Sequence, residues 1–365
     1  MNQKDIFNLQ IGRRLKIARE RAGMSQSELA EKLHLGKHQI ISNIENGIRA
    51  VSSDEMFRLI EIFGEPMEFF TDPYRIVDEK VLSFRARSDA EGLSSFEDQV
   101  SKLASAAIRF SDLCGEEINP FDRQLKVDHG TTLASASYIG TQVANRLELG
   151  AVPAERLQDA IERKLGIMVL NVDAPLGISG SACHMPPLDM ITINRKEPDF
   201  RRNFDLAHEL FHVLTWSALP PQRHDWSDQS RPKEEKLADA FAAGLLLPDS
   251  AVRARWETRK TKETLADWIL RNAKEMKVSG QAFYYRLVNL RLLGKTMQEE
   301  IDLNNLSRSD DAKEQPRLFC ESFVKRMHKV VGQGKVSTRK AASLAGLEVD
   351  ELPPLFASYG LAPAF

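Results

Sequence analysis

One stretch of the sequence decides the fold around it: residues 203–216 read NFDLAHELFHVLTW and contain the motif His208-Glu209-x-x-His212. Positions i and i+4 of an α-helix share one face, so the two imidazoles can reach a single metal ion. Glu209 lies beside them and can take a proton from a water activated at the metal, as in zinc peptidases. Apolar residues at helical spacing, uninterrupted by glycine or proline, predict a helix over residues 204–217.

A second helix is expected to supply the third ligand, because a catalytic zinc ion takes three protein ligands and keeps one position open. Residues 231–248 read RPKEEKLADAFAAGLLLP and predict a helix over residues 234–247, between two prolines. We expect Glu235 to be the ligand, since Asp239 then lies one turn away on the same face. A carboxylate there can bind the outer nitrogen of a ligating histidine and fix its tautomer. Glu234 stays open as the alternative ligand.

The two segments together resemble a known family. The strings LAHELFH (206–212) and ExxADxFAxxLLLP (235–248) are similar to those of the ImmA/IrrE family of zinc metallopeptidases, and the resemblance covers about residues 150–290. The string ITIN (191–194) fits the family's edge strand before the active-site helix, where an extended peptide can bind by strand addition. Phe211 stands where the family usually has glycine, and its ring is expected to narrow access to the metal.

The resemblance also implies an activity and a partner. It implies a zinc-dependent endopeptidase with one Zn²⁺ ion per chain. It further implies a helix-turn-helix repressor protein as the substrate, whose cleavage induces stress, phage-defence or mobile-element genes. An alternative of another class is a DNA-binding transcriptional regulator, or an antitoxin-like protein, whose zincin domain is a sensor or scaffold without peptidase activity. Binding of zinc without peptide cleavage would favour that alternative.

Three further residues are candidates for a role at the metal. Cys183 lies in a segment expected near the cleft, and its thiolate could fill the open fourth position as an inhibitory ligand. The alternative for Cys183 is a small strand residue that packs inward. His184 and His224 are candidates to stabilise the oxyanion that forms when water attacks a peptide carbonyl.

The composition predicts a soluble protein of the cytoplasm. At 365 residues, with 42% apolar residues and 28% charged residues, the chain is expected to form two or three domains. The net charge of −2 argues against a generally polycationic binder and leaves a local basic face possible. The first ten residues are polar, and no apolar run is long enough to span a membrane. Three widely spaced cysteines (Cys114, Cys183 and Cys320) form no framework of paired bridges, which favours a reducing compartment.

The N-terminal residues 9–70 predict a bundle of short helices with a helix-turn-helix layout. Capping boxes at Ser25 and Ser52 open two of the helices, and a third helix is expected from Lys37 to Asn46. The candidate DNA contacts on this third helix are Lys37, His38, Gln39, Ser42 and Asn43. Side-chain amides and hydroxyls suit base edges, whereas Lys37 and the arginines of the first helix suit phosphates.

The N-terminal strings resemble a second family. SQxxLA (25–30) and IENG (44–47) are similar to those of the XRE (Cro/cI-type) helix-turn-helix proteins. Residues 1–70 contain ten Lys/Arg and ten Asp/Glu, so DNA binding would depend on where the charges lie. The alternative is a bundle that mediates dimerisation or recognises a protein. A homodimer stays possible, although the sequence shows no clear dimer seam.

The fold expected from these patterns is α+β and mostly helical, with an N-terminal helix-turn-helix bundle, a central zincin-like domain and a C-terminal helical region. Strands are predicted at 167–172 and 190–194, ahead of the HExxH helix. The expected domains are an XRE-type DNA-binding domain at 1–70, a helical connector at 71–130, an ImmA/IrrE-like zinc metallopeptidase domain at 131–302 and a C-terminal helical unit at 303–365.

Overall fold

The structure is a computed structural model. It describes residues 3–72, 82–86, 92–116, 125–185, 188–220, 232–259, 263–306 and 315–364, with the backbone alone at 3–6, 82–86 and 94. The chain divides into two compact units, Met1–Lys80 with Ser101–Arg109, and Val81–Val100 with Phe110–Phe365. Helices dominate both units, and a small sheet lies in the second, which confirms the α+β, mostly helical class. The domain boundaries at residues 70, 130 and 302 stay predictions.

The N-terminal unit is a bundle of short helices around one apolar core. Its helices are α1 (Gln3–Arg21), α2 (Gln26–Lys32), α3 (Gln39–Glu45), α4 (Ser53–Phe63) and α5 (Met67–Thr71). The predicted capping boxes open α2 and α4: the Ser25 hydroxyl accepts the Glu28 N–H, the Glu28 carboxylate accepts the Ser25 N–H, and the box at Ser52 is built in the same way. Helices α1 and α3 approach so closely that a Cβ on Gly12 would lie 2.0 Å from the Ile44 carbonyl oxygen.

The longer helices of the chain's middle position the metal-binding segments. They are α6 (Leu93–Cys114), α7 (Leu133–Arg146), α8 (Leu157–Leu165), α9 (Asp199–Thr215) and α10 (Lys233–Leu246). Helices α7 and α10 touch backbone to backbone. A Cβ on Gly140 would lie 2.2 Å from the Phe241 carbonyl oxygen, and one on Gly244 would lie 1.9 Å from that of Ser137. Glycine at both positions therefore fixes where α10, which carries Glu235, lies in the fold.

The sheet of the second unit has four described strands in the order β1-β3-β4-β2. They are β1 (Leu82–Ala86), β2 (Met168–Val172), β3 (Ile178–Met185) and β4 (Leu188–Asn194). Strand β3 pairs antiparallel with both β1 and β4, and β4 pairs parallel with β2. The expectation that residues 191–194 form an edge strand is wrong, because β4 has a hydrogen-bonded neighbour on each side. Strand β1 comes from the segment expected to be a helical connector.

The remaining helices close the core and one edge of the sheet. They are α11 (Asp249–Glu257), α12 (Leu265–Glu275), α13 (Gly280–Asn289), α14 (Lys295–Glu299), α15 (Glu321–Gly332), α16 (Thr338–Ala345) and α17 (Leu352–Ser358). The buried Arg286 of α13 donates to the Leu247 carbonyl at 2.8 Å and to the Ser137 hydroxyl at 2.6 Å. Near the other end of the chain, the Phe319 N–H donates to the Asn171 carbonyl of β2 at 2.7 Å. None of the described helices combines the length and apolar character that crossing a membrane requires.

Candidate metal centre and DNA-binding surface

The second half of α9 is enclosed by the rest of the unit. Residues 205–215 are all buried, with β3 and β4 packed on one side and α10 on another. The polar side chains of the motif are included: His208 is 0%, Glu209 1% and His212 2% exposed. Burying ionisable groups costs free energy unless hydrogen bonds, ion pairs or a metal compensate. Burial of these three side chains therefore lowers the free energy of unfolding unless such partners compensate.

Three side chains converge where a metal ion could bind. The Nε2 atom of His208 lies 3.3 Å from Oε2 of Glu235, and the Nε2 atom of His212 lies 3.1 Å from Oε1 of the same carboxylate. The two Nε2 atoms are 3.1 Å apart, and the ligand atoms of all three residues lie within 4.8 Å of one another. Two imidazoles and one carboxylate form the donor set of several catalytic zinc sites, so these residues fit the ion.

The structure brings Asp239 to the outer nitrogen of His208. The Nδ1 atom of His208 lies 2.9 Å from Oδ1 of Asp239, one helical turn beyond Glu235. A carboxylate at Nδ1 favours the tautomer in which Nδ1 carries the proton, and this leaves the Nε2 lone pair directed at the metal position. The helical spacing of the two α10 carboxylates thus places them on opposite sides of one imidazole ring.

The two adjacent glutamates of α10 have different partners. Glu235 contacts both histidines, whereas Oε1 of Glu234 lies 3.5 Å from Nδ1 of His129. Burial raises the pKa of Glu235, but hydrogen bonds to His208 and His212 outweigh burial and bring its pKa below the ordinary value. Glu235 is therefore an anion at neutral pH, as a metal ligand must be. The geometry favours Glu235 over Glu234 as the third ligand.

Glu209 lies against the backbone of β3. A Cβ on Gly180 would lie 3.6 Å from Cγ of Glu209 and 2.7 Å from the Thr192 carbonyl oxygen, so the strand and the helix approach closely at this point. Side chains alternate between the two faces of a strand. Ala182 and His184 therefore share the Glu209-facing side of β3 with Gly180, and the pairing with β4 is regular from Gly180 to Met185.

The same alternation puts Cys183 on the other face of the sheet. Its thiol is fully buried, and burial raises its pKa to about 12, with the Asp189 charge adding to the effect. A metal ligand at this position would have to be a thiolate directed at the Glu209 side. This placement contradicts the prediction of Cys183 as an inhibitory fourth ligand and agrees with the alternative, a small strand residue that packs inward.

His184 lies at one end of the metal-binding face of α9. Trp216 is one turn after His212 and shares that face, and the rings of His184 and Trp216 are 5.6 Å apart. The Nδ1 atom of His184 lies 2.6 Å from Oδ1 of Asp189, which orients the imidazole. Burial raises the pKa of Asp189, and His184 partly offsets this rise. The other oxyanion candidate, His224, lies outside the described residues.

Phe211 belongs to the core and not to the cleft. It is 0% exposed, and its ring packs 5.4 Å from that of Phe241 on α10. The expectation that this ring narrows access to the metal is therefore wrong. The reason is geometric: on α9, Phe211 faces α10, where Phe241 completes the apolar contact.

A carboxyl cluster next to Glu209 was not expected from the sequence. Asp205 is 1% exposed and lies one turn before Glu209 on α9. Burial and the neighbouring Asp205 raise the pKa of Glu197 to about 7, and the Ser179 hydroxyl donates to Glu197 at 2.9 Å. The i, i+4 spacing of Asp205 and Glu209 was the available signal, whereas the position of Glu197 depends on the turn between β4 and α9.

The candidate DNA contacts form a surface on the N-terminal unit. Lys37, His38 and Gln39 are exposed, and Ser42 and Asn43 are half-buried on α3. The Gln39 side-chain amide donates to Oδ1 of Asn43 at 3.4 Å, so the two amides lie on one face of the helix. In helix-turn-helix proteins, amides and hydroxyls on the second helix of the motif contact base edges. In this chain that helix is α3.

Two of the arginines expected to contact phosphates have a structural role instead. Arg19 is 8% exposed and binds Glu45 at 2.6 Å, and Gln26 donates to the same carboxylate at 2.7 Å. Arg14 is 6% exposed and donates to the Phe70 carbonyl at 3.0 Å. Both prefer these partners because a buried guanidinium must satisfy its N–H groups internally. Arg13 and Arg21 remain exposed.

Two histidines one turn apart and a glutamate from the next helix form a group that could hold a metal ion, and Glu209 completes an HExxH motif of the kind found in metallopeptidases. Comparison with known families agrees. Residues 162–288 match the peptidase M78 family, described as the IrrE N-terminal-like domain, and residues 15–70 match the family described as helix-turn-helix. Both resemblances expected from the sequence are confirmed: the chain joins an XRE-type DNA-binding domain to an IrrE-like metallopeptidase-family domain.

A similar protein of known name is the HTH-type transcriptional regulator ImmR of Bacillus subtilis (strain 168). It is 25% identical to this chain over 95 residues, which are 26% of this chain and 74% of the relative.

Proposed function

We propose that the protein is a zinc-dependent endopeptidase coupled to a DNA-binding domain, and that it cleaves a helix-turn-helix repressor protein. The observation that carries the proposal is the convergence of His208, His212 and Glu235 around one position, with Glu209 buried beside them. This arrangement supports hydrolysis better than binding alone, because a structural site would use four protein ligands and needs no adjacent carboxylate.

The residues have distinct roles in the proposed reaction. His208, His212 and Glu235 would hold one Zn²⁺ ion, and Asp239 orients the His208 ring from its outer nitrogen. When bound, the ion would supply Lewis-acid chemistry toward a water molecule and a peptide carbonyl. Glu209 accepts a proton from the attacking water and delivers it to the leaving amine. The close contact between Gly180 and Glu209 keeps this carboxylate in place.

His184 is the candidate for stabilising the oxyanion. Its ring lies on the Glu209-facing side of β3 and is held by Asp189 at 2.6 Å. With Nδ1 held by Asp189, the ring in its protonated form can donate from Nε2 to the developing oxygen charge, which is where such donors contribute most. His184 is the one of the two candidate histidines for which the described residues support this role.

The DNA-binding part of the proposal rests on Lys37, His38, Gln39, Ser42 and Asn43. The family match over residues 15–70 and the name of the Bacillus relative, a transcriptional regulator, both support a regulatory role on DNA. A DNA-binding domain also favours a cytoplasmic location and, for a palindromic operator, a homodimer. Cleavage of a repressor would induce stress, phage-defence or mobile-element genes.

The second candidate function is a DNA-binding regulator whose metal domain is a sensor or scaffold. It is favoured by the near-complete burial of the motif, with His208 at 0% and Glu209 at 1% exposure. A substrate must reach both residues, whereas a sensor that only retains zinc need not open. The two functions differ in one respect: only the endopeptidase requires Glu209 to move protons.

The test is a cleavage assay with purified helix-turn-helix repressor proteins from the same genome. The wild-type protein loaded with zinc is expected to cut one of them, and chelation should stop cleavage until zinc is restored. Glu209→Gln is the matched variant, expected to retain zinc and to cleave about 10²–10⁴-fold more slowly, the usual contribution of a general base. Zinc binding with no cleavage of any repressor would favour the sensor.

A further inference from the structure

The edge of the sheet next to the metal centre is occupied by a strand from outside the peptidase-family domain. The family match begins at residue 162, so it contains β2, β3 and β4 but not β1. Within the matched domain, β3 is the last strand on its side of the sheet. Strand β1 lies between the helix-turn-helix match, which ends at residue 70, and the peptidase match. The chain therefore covers this edge with its own intervening segment.

Strand β3 runs along the metal-binding helix. Gly180 lies beside Glu209, and His184 lies beside Trp216, about two turns further along α9. The strand and the helix therefore point the same way, with His212 between these two contacts. An extended chain added at the free side of β3 would lie about 4.8 Å from it. It would follow the same face of the helix that carries the metal ligands.

Strand β1 holds this position in the direction that a strand-added peptide can take. It pairs antiparallel with β3, with Arg85 opposite Gly180 and Leu82 opposite Cys183. Strand addition gives an incoming peptide main-chain hydrogen bonds that any sequence can make, and neighbouring pockets select the side chains. A peptide and β1 cannot use the same backbone groups of β3 at once.

The pairing of β1 is the kind that can open. The strand has five residues, it is hydrogen-bonded on one side only among the described strands, and its register with β3 shifts between Arg85 and Ala86. Short edge strands with irregular pairing open at low free-energy cost compared with central strands. Strand β4, paired on both sides, lacks this property.

We propose that β1 is an internal competitor of the protein substrate: it occupies the outer edge of β3, where an extended substrate segment would add as a strand, until the substrate displaces it. The proposal rests on the proposed endopeptidase function and adds to it a regulation by the chain's own strand. Access to the metal centre then depends on the segment that follows the DNA-binding domain.

The register offers a reversible lock for testing this. Leu82 is paired with Cys183, and directly opposed positions of antiparallel strands lie within the Cα–Cα range of a disulfide. Leu82→Cys should therefore form a disulfide with the native Cys183 on oxidation, on the face of the sheet away from Glu209. Mass spectrometry of proteolytic fragments identifies the bond. Leu82→Cys combined with Cys183→Ala is the control that cannot be locked.

Cleavage of β-casein, a disordered protein, is the first readout. The zinc-loaded Leu82→Cys protein is expected to cleave it at least about tenfold more slowly when oxidised than after reduction, a change equal to one hydrogen bond or more. The control is expected to cleave at the same rate in both states. Equal rates for the locked and the reduced protein would overturn the proposal.

Peptide binding is the second readout, and it does not depend on activity. The probe is a fluorescein-labelled peptide of residues 78–90, DEKVLSFRARSDA, measured by anisotropy in the Glu209→Gln background. Ser83→Pro removes a backbone donor from β1 and should increase peptide affinity about tenfold over Ser83→Ala, which keeps the donor. The oxidised lock should bind no peptide. Hydrogen exchange at the amides of residues 180–183 reports whether β1 has been released.

The two readouts separate the docking edge from the enzymatic function. If peptide binding follows the lock but no zinc-loaded form cleaves casein or a repressor, the docking edge stands and the endopeptidase function is wrong. If the locked form binds peptide as well as the reduced form, the docking edge is wrong whatever the activity. The same holds if Ser83→Pro exposes residues 180–183 to exchange and binds no more peptide than Ser83→Ala.

Discussion

The candidate metal centre and the third helix of the N-terminal unit differ in how far their polar side chains are buried and paired within the protein. His208 and His212 are at most 2% exposed, and Glu235 and Asp239 contact their ring nitrogens at 2.9–3.3 Å. Gln39 and Lys37 are exposed, and Gln39 makes a long hydrogen bond, of 3.4 Å, to the Asn43 side chain. A reacting site must be organised before its ligand arrives, whereas a DNA-reading surface obtains its hydrogen-bond partners from the DNA.

The difference predicts that substitutions at the two regions act on different quantities. In the metal centre, losing one side chain leaves buried partners without their charge or hydrogen bond, so affinity for the ion and stability should both change. On α3, losing one side chain leaves the fold intact and should change only DNA affinity. The predictions that follow are arranged from the largest expected effect to the smallest.

The largest of these effects is expected at Asp239. Asp239→Asn keeps the size of the side chain but removes the charge that orients His208, so zinc affinity should fall about 10–100-fold. The measurement is competition for zinc against a chromophoric chelator. Asp267→Asn, on the exposed face of α12, is the matched control and should bind zinc as the wild type does. Unchanged zinc affinity in Asp239→Asn would show that Asp239 does not contribute to zinc binding through His208.

A smaller effect is expected at Asn43 on α3 and at Lys37 just before this helix, where two kinds of contact can be told apart. Asn43→Ala should weaken binding to the operator by about 1 kcal/mol, about fivefold, and relax the preference for one base pair. Lys37→Ala should instead weaken binding to all DNA sequences alike. It should also reduce the slope of the logarithm of the binding constant against the logarithm of the salt concentration by about one. The measurement is DNA affinity at several salt concentrations. Zinc content should be the same in both variants, and a loss of zinc would break the distinction between the two regions.

The smallest effect is expected at Glu197 and concerns pH. The pKa of Glu197 is raised by burial and by Asp205 to about 7, so its protonated form is favoured in the folded state. Such a group contributes stability below its unfolded pKa, and this contribution is lost as the pH rises through about 7. Glu197→Gln should therefore flatten the fall in stability between mildly acidic and mildly alkaline pH.

Urea unfolding at a series of pH values measures this directly. The exposed Glu257 provides the control, since Glu257→Gln should leave the wild-type pH profile unchanged. A Glu197→Gln profile that keeps the full wild-type dependence on pH would contradict the assignment of a raised pKa to Glu197.

The sequence predicted which side chains converge at the candidate metal centre, because their geometry is local to two helices. The i, i+4 spacing within His208 and His212, and again within Glu235 and Asp239, fixes which side chains share a face. The choice between Glu235 and Glu234 depended on that periodicity alone, and the structure places Glu235 against the histidines and Glu234 against His129.

What the sequence could not predict depends on strand pairing and on the burial of particular side chains. Strand β1 pairs with residues about a hundred positions later, and no local pattern marks such a partner. Without the register of β3 the face of Cys183 stays undetermined, so the sequence leaves open both a thiolate at the metal and a residue that packs inward. Arg14 and Arg19 look like phosphate contacts in the sequence, and only the fold shows that they satisfy internal acceptors.

The central claim is that His208, His212 and Glu235 hold one catalytic zinc ion. The measurement that tests it most directly is the metal content of the purified wild-type protein beside His208→Ala, Glu235→Ala and Glu234→Ala, with circular dichroism to show that each variant is folded. The account predicts about one zinc per chain in the wild type and in Glu234→Ala, and almost none in the other two. A folded Glu235→Ala protein that retains its zinc, or a wild type that binds none, would contradict it.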